Sequence, residues 1–168
     1  MKFALCRSLS VLLLCLAQVA GAATTVVEPG QDLAAVIKAA APGDVIEVAR
    51  GMYRVNLLID KPLTLRGINR PTLSGSNQGD TIRVTAPDVL IEGLIVRDSG
   101  DSLKDQNAGI YLFPGAHRAV VRQCDLTYNL FGLWIEKSND VRIEGNTITG
   151  KREYNSSQRG NGVQLYNT

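Results

Sequence analysis

The chain contains, at residues 89–112, the stretch VLIEGLIVRDSGDSLKDQNAGIYL, which carries both motifs of a repeating pattern. The first motif has aliphatic residues at its first and third positions, followed by a charged residue and glycine. Its copies are LTLRG (63–67), VLIEG (89–93), AVVRQ (119–123, without the glycine) and VRIEG (141–145). They begin 26, 30 and 22 residues apart, so the chain has a loose internal repeat.

A second motif alternates with the first along the chain. It has aliphatic residues at its second and fourth positions, and its copies are TIRV (81–84), GIYL (109–112), GLWI (132–135) and GVQL (162–165). This period of two is typical of β-strands. Two or more short strands in each unit of about 20 to 30 residues are typical of a parallel β-helix, whose coils stack about 4.8 Å apart. We therefore predict an all-β solenoid over residues 44–168.

The glycines of the first motif predict where each coil bends. Strand periodicity sends Val89 and Ile91 inward, and the residue that follows the charged position, as in Gly93, stands at the corner. The corresponding glycines are Gly67 and Gly145, and glycine adopts the positive φ that a corner can demand. Asn146 follows one of these bends, and Cys124 has the equivalent position in the AVVRQ copy, so stacking alone accounts for that cysteine.

A β-sandwich is the alternative fold, because its strands also come at short, regular spacing. A sandwich predicts antiparallel hairpins with two-residue Asn-Gly or Asp-Gly turns between strands. In this chain, like strands instead recur after a full coil. The repeat therefore favours the solenoid over the sandwich.

The segment 23–43 predicts one strand and one short helix ahead of the repeats. Residues 24–27 form a strand-like opening, and the apolar residues of 33–40 recur at the spacing of one helical face. Asp32 can cap the helix, and Pro42-Gly43 ends it. We expect this helix to cover the open N-terminal end of the solenoid.

Residues 1–22 are typical of a cleavable export signal, with basic residues, a short apolar stretch and the small-residue run Ala20-Gly21-Ala22. Without Lys2 and Arg7, basic and acidic residues are equal in number, since the whole chain has 18 of the first and 16 of the second. A neutral chain gives no electrostatic reason to expect nucleic acid as a ligand. At the other terminus, the last repeat has no capping element, and we expect further coils beyond it.

The densest acidic group in the sequence is Asp98, Asp101 and Asp105, in a loop between two strands. Carboxylates in such a loop could hold Ca²⁺ and a sugar acid, as a polysaccharide lyase or hydrolase requires, with Arg97 or Lys104 as base or clamp. Turn chemistry accounts for Asp98-Ser99-Gly100-Asp101 equally well. The three aspartates are therefore catalytic candidates only under the enzyme hypothesis.

Residues that commonly bind metals are scarce after the leader. The candidates are His117, Cys124 and Met52, which lie on different predicted coils. A self-contained copper site would need most of them together. The residues alone therefore predict neither a metal site nor a bound cofactor.

Four segments together resemble one known family. They are APDVLIEG (86–93), QNAGIYL (106–112), FGLWIEKSNDVRIEGNTITG (131–150) and RGNGVQLY (159–166). In this order they are similar to the N-terminal part of the NosD family of periplasmic accessory proteins, within the pectate-lyase-like superfamily of carbohydrate-binding and sugar-hydrolase β-helices. The resemblance runs from about residue 40 to the end.

The resemblance implies a right-handed β-helix in the periplasm, docked on an ABC-type permease with its ATPase. It implies a part in assembling the copper-sulfur centre of nitrous oxide reductase, with the reductase and a copper-donor protein as partners. Copper binding is implied by the family, and no catalytic residue is carried over. The first hypothesis is therefore a non-enzymatic scaffold, and the second is a polysaccharide lyase or hydrolase that uses the three aspartates.

Overall fold

The computed structural model describes residues 21–155 and 157–168. The predicted leader, apart from its last two residues, lies outside the described residues. In chain order the elements are β1 (Thr24–Val27), α1 (Leu33–Ala39), β2 (Val45–Val48), β3 (Met52–Arg54), β4 (Leu57–Ile59), β5 (Thr64–Gly67), β6 (Thr72–Ser74), β7 (Ile82–Val84), β8 (Leu90–Glu92), β9 (Ile95–Arg97), β10 (Ala108–Leu112), β11 (Val120–Arg122), β12 (Asp125–Asn129), β13 (Phe131–Glu136), β14 (Arg142–Glu144), β15 (Thr147–Gly150) and β16 (Val163–Tyr166).

The strands form three parallel sheets that wrap around one core. Sheet A has the order β1-β2-β5-β8-β11-β14, sheet B has β3-β6-β9-β12-β15, and sheet C has β4-β7-β10-β13-β16. Every strand pair between described residues is parallel. The predicted parallel β-helix is confirmed, and the sandwich alternative is wrong because like strands pair one coil apart.

The two sequence motifs mark two of the sheets. Copies of the first motif supply β5, β8, β11 and β14 of sheet A, and copies of the second supply β7, β10, β13 and β16 of sheet C. Inward residues stack in register, as Leu65, Ile91, Val121 and Ile143 do in sheet A. Burying each such side chain contributes about 1.5–3 kcal/mol to stability. Each coil buries these side chains against the coils next to it, so a coil has no complete core by itself.

Sheet B carries no repeat that the sequence revealed. Each of its strands places one apolar residue toward the core, in a column of Tyr53, Leu73, Val96, Leu126 and the partly buried Ile148. A strand of three to five residues with a single inward apolar residue shows no alternation to detect. The two sequence motifs therefore mark two of the three strands in each coil, in agreement with the predicted two or more strands per unit.

Glycine is favoured at three of the sheet A corners for two different reasons. Gly93 and Gly145 have φ of +71° and +60°, as predicted, and Gln123 adopts +54° in the copy that lacks glycine. Gly67 instead lies so close to the next coil that a Cβ would stand 2.3 Å from the carbonyl oxygen of Gly93. Asn146 ties its corner to the coil below, since its side chain accepts from Cys124 N at 2.9 Å and donates to Val121 O at 2.8 Å.

The single described helix packs on the N-terminal end of the core, as predicted. Asp32 caps α1 by accepting from Ala35 N at 3.0 Å, and Leu33 and Ile37 are buried in the solenoid core. Lys61 donates to the carbonyl oxygens of the last helical turn, with 2.8 Å to that of Lys38. Among residues 21–155 and 157–168, no helix combines the length and the apolar character that crossing a membrane requires.

The outer face of sheet A carries a ladder of alternating charge. Glu47, Arg66, Glu92, Arg122 and Glu144 stand opposite one another on successive coils. Arg66 Nε lies 2.6 Å and Arg122 Nη2 2.6 Å from the Glu92 carboxylate, whose side chain is 11% exposed. A shift of register by one residue would break these contacts, so the ladder favours the observed pairing.

Glu92 gives the fold a specific dependence on pH. Burial alone would raise its pKa, but hydrogen bonds from Arg66 and Arg122 outweigh burial and hold the pKa below the ordinary value. The ionised form therefore stabilises the fold above the unfolded-state pKa near 4.5, and this contribution is lost as the pH falls through the folded-state pKa.

We expect Glu92→Gln to flatten the loss of stability between about pH 6 and pH 3, because glutamine keeps the shape without the titration. Urea unfolding of both proteins across that range measures the effect. Equal losses in the wild type and the variant would contradict the assigned role of Glu92.

Candidate functional site

Two loops of ten and twelve residues and a third loop of seven lie at one corner of the solenoid. Residues 75–81, residues 98–107 and the described residues of 151–162 each connect a strand of sheet B to a strand of sheet C, on three different coils. We call these three segments the loop corner. Loops carried on a rigid scaffold are common places for binding residues, so this corner and the adjoining face of sheet C are the candidate site.

The three candidate aspartates lie in the loop corner but have separate partners. Asp98 accepts from Ser74 Oγ at 2.7 Å and pairs with Arg97 at 3.1 Å. Asp105 accepts from Ser102 Oγ at 2.7 Å, within its own turn. Asp101 pairs with Lys151, a residue of another coil. Each carboxylate thus has a structural contact, and none of these contacts joins two of the three.

Lys151 is a buried cation that the sequence did not reveal. The Lys151 side chain is only 2% exposed. Its ammonium donates to Ser99 O at 2.8 Å, to Asn77 Oδ1 at 3.4 Å and to the Asp101 carboxylate. One side chain therefore fastens all three loops of the corner together.

Two tyrosines complete the surroundings of this ammonium. Lys151 Nζ lies 5.5 Å from the ring centre of Tyr128 and 5.9 Å from that of Tyr154, distances at which a cation is attracted to a ring face. Tyr128 donates its hydroxyl to Glu153, and a hydrogen bond to Asp101 raises the pKa of Tyr154. The strap 151–162 is therefore held to the solenoid at several points.

The three candidate metal ligands occupy different environments. Cys124 is buried at 2% exposure, and loss of hydration raises the pKa of its thiol to about 11. His117 accepts from Asn139 N through Nδ1 at 3.0 Å, and Met52 is exposed on sheet B. Within the described ranges, no group of three or more His, Cys, Asp or Glu residues could hold a metal ion. These residues do not fit a copper site of their own.

Aromatic side chains gather on the outer face of sheet C. Tyr111 and Trp134 stand opposite each other in register on β10 and β13, with ring centres 6.1 Å apart. We call the whole set the aromatic face, and its members are Tyr111, Phe113, Phe131, Trp134 and Tyr166. Tyr111 donates to Glu136 Oε2 at 2.6 Å, and burial together with this carboxylate raises the Tyr111 pKa. A second apolar cluster thus forms outside the solenoid core.

Arg83 stands at the junction of the aromatic face and the loop corner. It follows Leu58 and precedes Tyr111 in the same row across sheet C. Asp80 Oδ2 accepts from Arg83 Nε at 2.9 Å and from Nη2 at 2.7 Å. The Asp80 side chain is 2% exposed and that of Arg83 is 44% exposed. A buried carboxylate therefore orients an arginine that remains open to solvent.

Asp80 is itself fixed by the backbone around it. Its Oδ1 accepts from Ala108 N at 3.0 Å, which joins its loop to the next coil. Burial raises the pKa of Asp80, and the hydrogen bonds from Ala108 and Arg83 oppose that rise without cancelling it. Asn56 donates to the carbonyl oxygens of Gln78 and Asp80 at 2.6 and 2.7 Å. Several contacts thus hold this loop in one conformation.

A cleft of about 400 Å³ opens beside this arginine. Its lining is Asn56, Leu57, Leu58, Gln78, Gly79, Asp80 and Arg83. Arg83 is absent from the candidates that the sequence offers, because the pattern TIRV by itself indicates only a strand. The available signal was the outward position of the second motif, which holds arginine, tyrosine, tryptophan and glutamine in successive copies.

Comparisons with known proteins agree with this architecture. The sequence model of the family described as "Right handed beta helix region" matches residues 66–168, which is more than half of the chain. No solved structure matches. The family match gives the predicted solenoid its right-handed sense.

Two curated relatives match over most of the chain. One is the "Probable ABC transporter binding protein NosD" of Pseudomonas aeruginosa, 34% identical over 119 residues, which are 71% of this chain and 28% of that protein. The other has the same name in Stutzerimonas stutzeri and is 30% identical over 116 residues, 69% of this chain and 27% of the relative. The chain therefore spans little more than a quarter of the length of these relatives.

Proposed function

The chain belongs to the right-handed β-helix family, and from this premise we propose that it is a non-enzymatic accessory protein of the periplasm. In this role it binds an ABC-type permease with its ATPase and assists assembly of the copper-sulfur centre of nitrous oxide reductase. The observation that carries the proposal is the similarity to two NosD proteins named as probable ABC transporter binding proteins. The structure supports it with a stiff stacked rod that has one elaborated corner.

The rod suits a binding role because its coils stack in register with few long connections. A solenoid of this kind offers extended surfaces that do not reorganise when a partner arrives, which lowers the entropy cost of binding. The Lys151 contacts fix the loop corner in the same way. The candidate acids supply no competing argument for an enzyme, because each is engaged in its own contact.

Copper enters this proposal as cargo. Cys124 is buried with a raised pKa, and His117 already accepts a backbone hydrogen bond, so neither is poised as a ligand. We propose that the copper-donor protein and the reductase supply the ligands. The solenoid then positions donor, client and transporter relative to one another.

Deleting the gene for this chain tests the proposal. We expect the nitrous oxide reductase purified from the deletion strain to lack its copper-sulfur centre, seen as reduced copper content and lost activity, and to regain both when the gene is restored. Metal analysis of the purified reductase measures the effect. A reductase with full copper content in the deletion strain would overturn the proposal.

A further inference from the structure

We propose that the cleft beside Arg83 is a carboxylate-binding site, and that the carboxylate it takes is the side chain of an acidic residue on a docked protein. The inference rests on the proposed binding function and names the point of contact. It follows from the way two kinds of contact hold one exposed arginine.

The first contact fixes the guanidinium through the Asp80 carboxylate. Asp80 accepts from Nε and Nη2 of Arg83 and is itself nearly fully buried. A long exposed side chain normally loses much conformational freedom when it binds a ligand. Arg83 has already lost part of that freedom in the free protein, so binding costs less.

The second contact fixes the plane of the group. The Cζ atom of Arg83 lies 5.2 Å from the ring centre of Phe113 and 5.7 Å from that of Tyr111. Arginine stacks on aromatic rings in this way while its outer nitrogens remain able to donate. Within the described part of the chain, no residue accepts a hydrogen bond from Nη1. The edge of the guanidinium formed by Nη1 and Nη2 is therefore open to a further acceptor, and Arg83 lines the cleft.

The chemistry of that open edge selects a carboxylate. A guanidinium edge donates two parallel N–H bonds, which match the two oxygens of a carboxylate in geometry and charge. The remaining lining adds the polar groups of Asn56 and Gln78 and the apolar side chain of Leu58. A methylene stem of a glutamate or aspartate could pack on that leucine while its head meets Arg83.

The surroundings favour a protein partner over a free small acid. Leu58 is 53% exposed, and Tyr166 lies 50% exposed at the far end of the aromatic face. Small-molecule sites enclose most of their ligand, whereas this cleft opens onto a broad face. Arginine, tryptophan and tyrosine are also the residues that most often dominate protein–protein binding.

Titration with a short peptide tests the carboxylate site without any partner. The probe is acetyl-Gly-Glu-Gly-amide, followed by NMR of the Arg83 Nε–Hε group in the full chain. We expect a saturable shift at Arg83, at least about tenfold weaker binding of the glutamine peptide, and loss of the response in Arg83→Lys. Arg118, an exposed arginine paired with Asp88 at another corner, is the internal control and should show no saturation.

Three results would overturn the inference. The Arg83 signal could respond no more than that of Arg118, or the glutamate and glutamine peptides could bind equally. Free glutarate binding about tenfold more tightly than the glutamate peptide would assign the site to a small acid and contradict a protein side chain as its ligand.

A second arm uses the ABC permease–ATPase complex of the same organism. We expect Arg83→Gln to weaken binding to that complex about tenfold and Arg118→Gln to leave it unchanged. Unchanged binding by Arg83→Gln would overturn the docking role. If the wild-type chain does not bind the complex, the proposed function fails, whereas the peptide titration still decides the carboxylate site.

Discussion

Gly67→Ala is expected to destabilise the fold by about 2–3 kcal/mol, although alanine is otherwise a favourable replacement for glycine in a strand. The added Cβ would lie 2.3 Å from Gly93 O, 2.8 Å from Pro71 Cδ and 2.9 Å from Gly93 C. Two of these three atoms belong to the backbone of the next coil, so the stack itself must shift. Urea unfolding followed by circular dichroism measures the loss.

Gly150→Ala is the matched control for this prediction. Gly150 also lies in a strand, and the nearest atom to its added Cβ is Asn129 O at 3.9 Å, an ordinary contact. We expect its effect to stay within about 0.5 kcal/mol. Equal small effects at both positions would contradict the close packing of Gly67 against the backbone of the next coil.

Lys151→Ala is expected to destabilise the loop corner by about 2–3 kcal/mol. The change removes the donor to the Ser99 carbonyl and leaves a void where the side chain was buried. The cost stays below that of a fully buried ion pair because the Asp101 side chain is 43% exposed and water can solvate it. Urea unfolding measures the change in stability, and proteolysis measures the release of strap 151–162.

Lys137→Ala provides the comparison for Lys151. Lys137 lies 3.8 Å from Glu136, and its side chain is 56% exposed, so its removal should change stability by less than about 0.5 kcal/mol. We expect rapid cleavage in the strap for Lys151→Ala only. A Lys151 variant as stable and as resistant to protease as the Lys137 variant would contradict the role of Lys151 in holding the three loops together.

The fold could be predicted from the sequence because a solenoid repeats the same sequence motifs in successive coils. The motifs around Ile91 and Ile110 recur in successive coils, so their period and alternation were visible without a structure. The helix 33–39 was also predictable, since Asp32 and Pro42 mark its ends. The strands of sheet B could not be recognised as a repeat, because a short strand with one inward residue shows no periodic pattern.

The candidate site was less predictable because its contacts cross between coils. Lys151 donates to Ser99 and Asn77, and no local sequence pattern in 151–159 indicates these partners. Arg83 and Asp80 are close in sequence, but the burial of Asp80 depends on the neighbouring coil. The three aspartates form a cluster in the sequence, whereas the structure gives each of them a separate partner.

Hydrogen–deuterium exchange of the chain with and without the ABC permease–ATPase complex tests the scaffold role most directly. We expect slower exchange in residues 75–81, 98–107 and 151–162 when the complex is saturating, and no change along the strands of sheet A. Slower exchange confined to sheet A, or no change anywhere in the chain, would contradict a scaffold that docks through its loop corner.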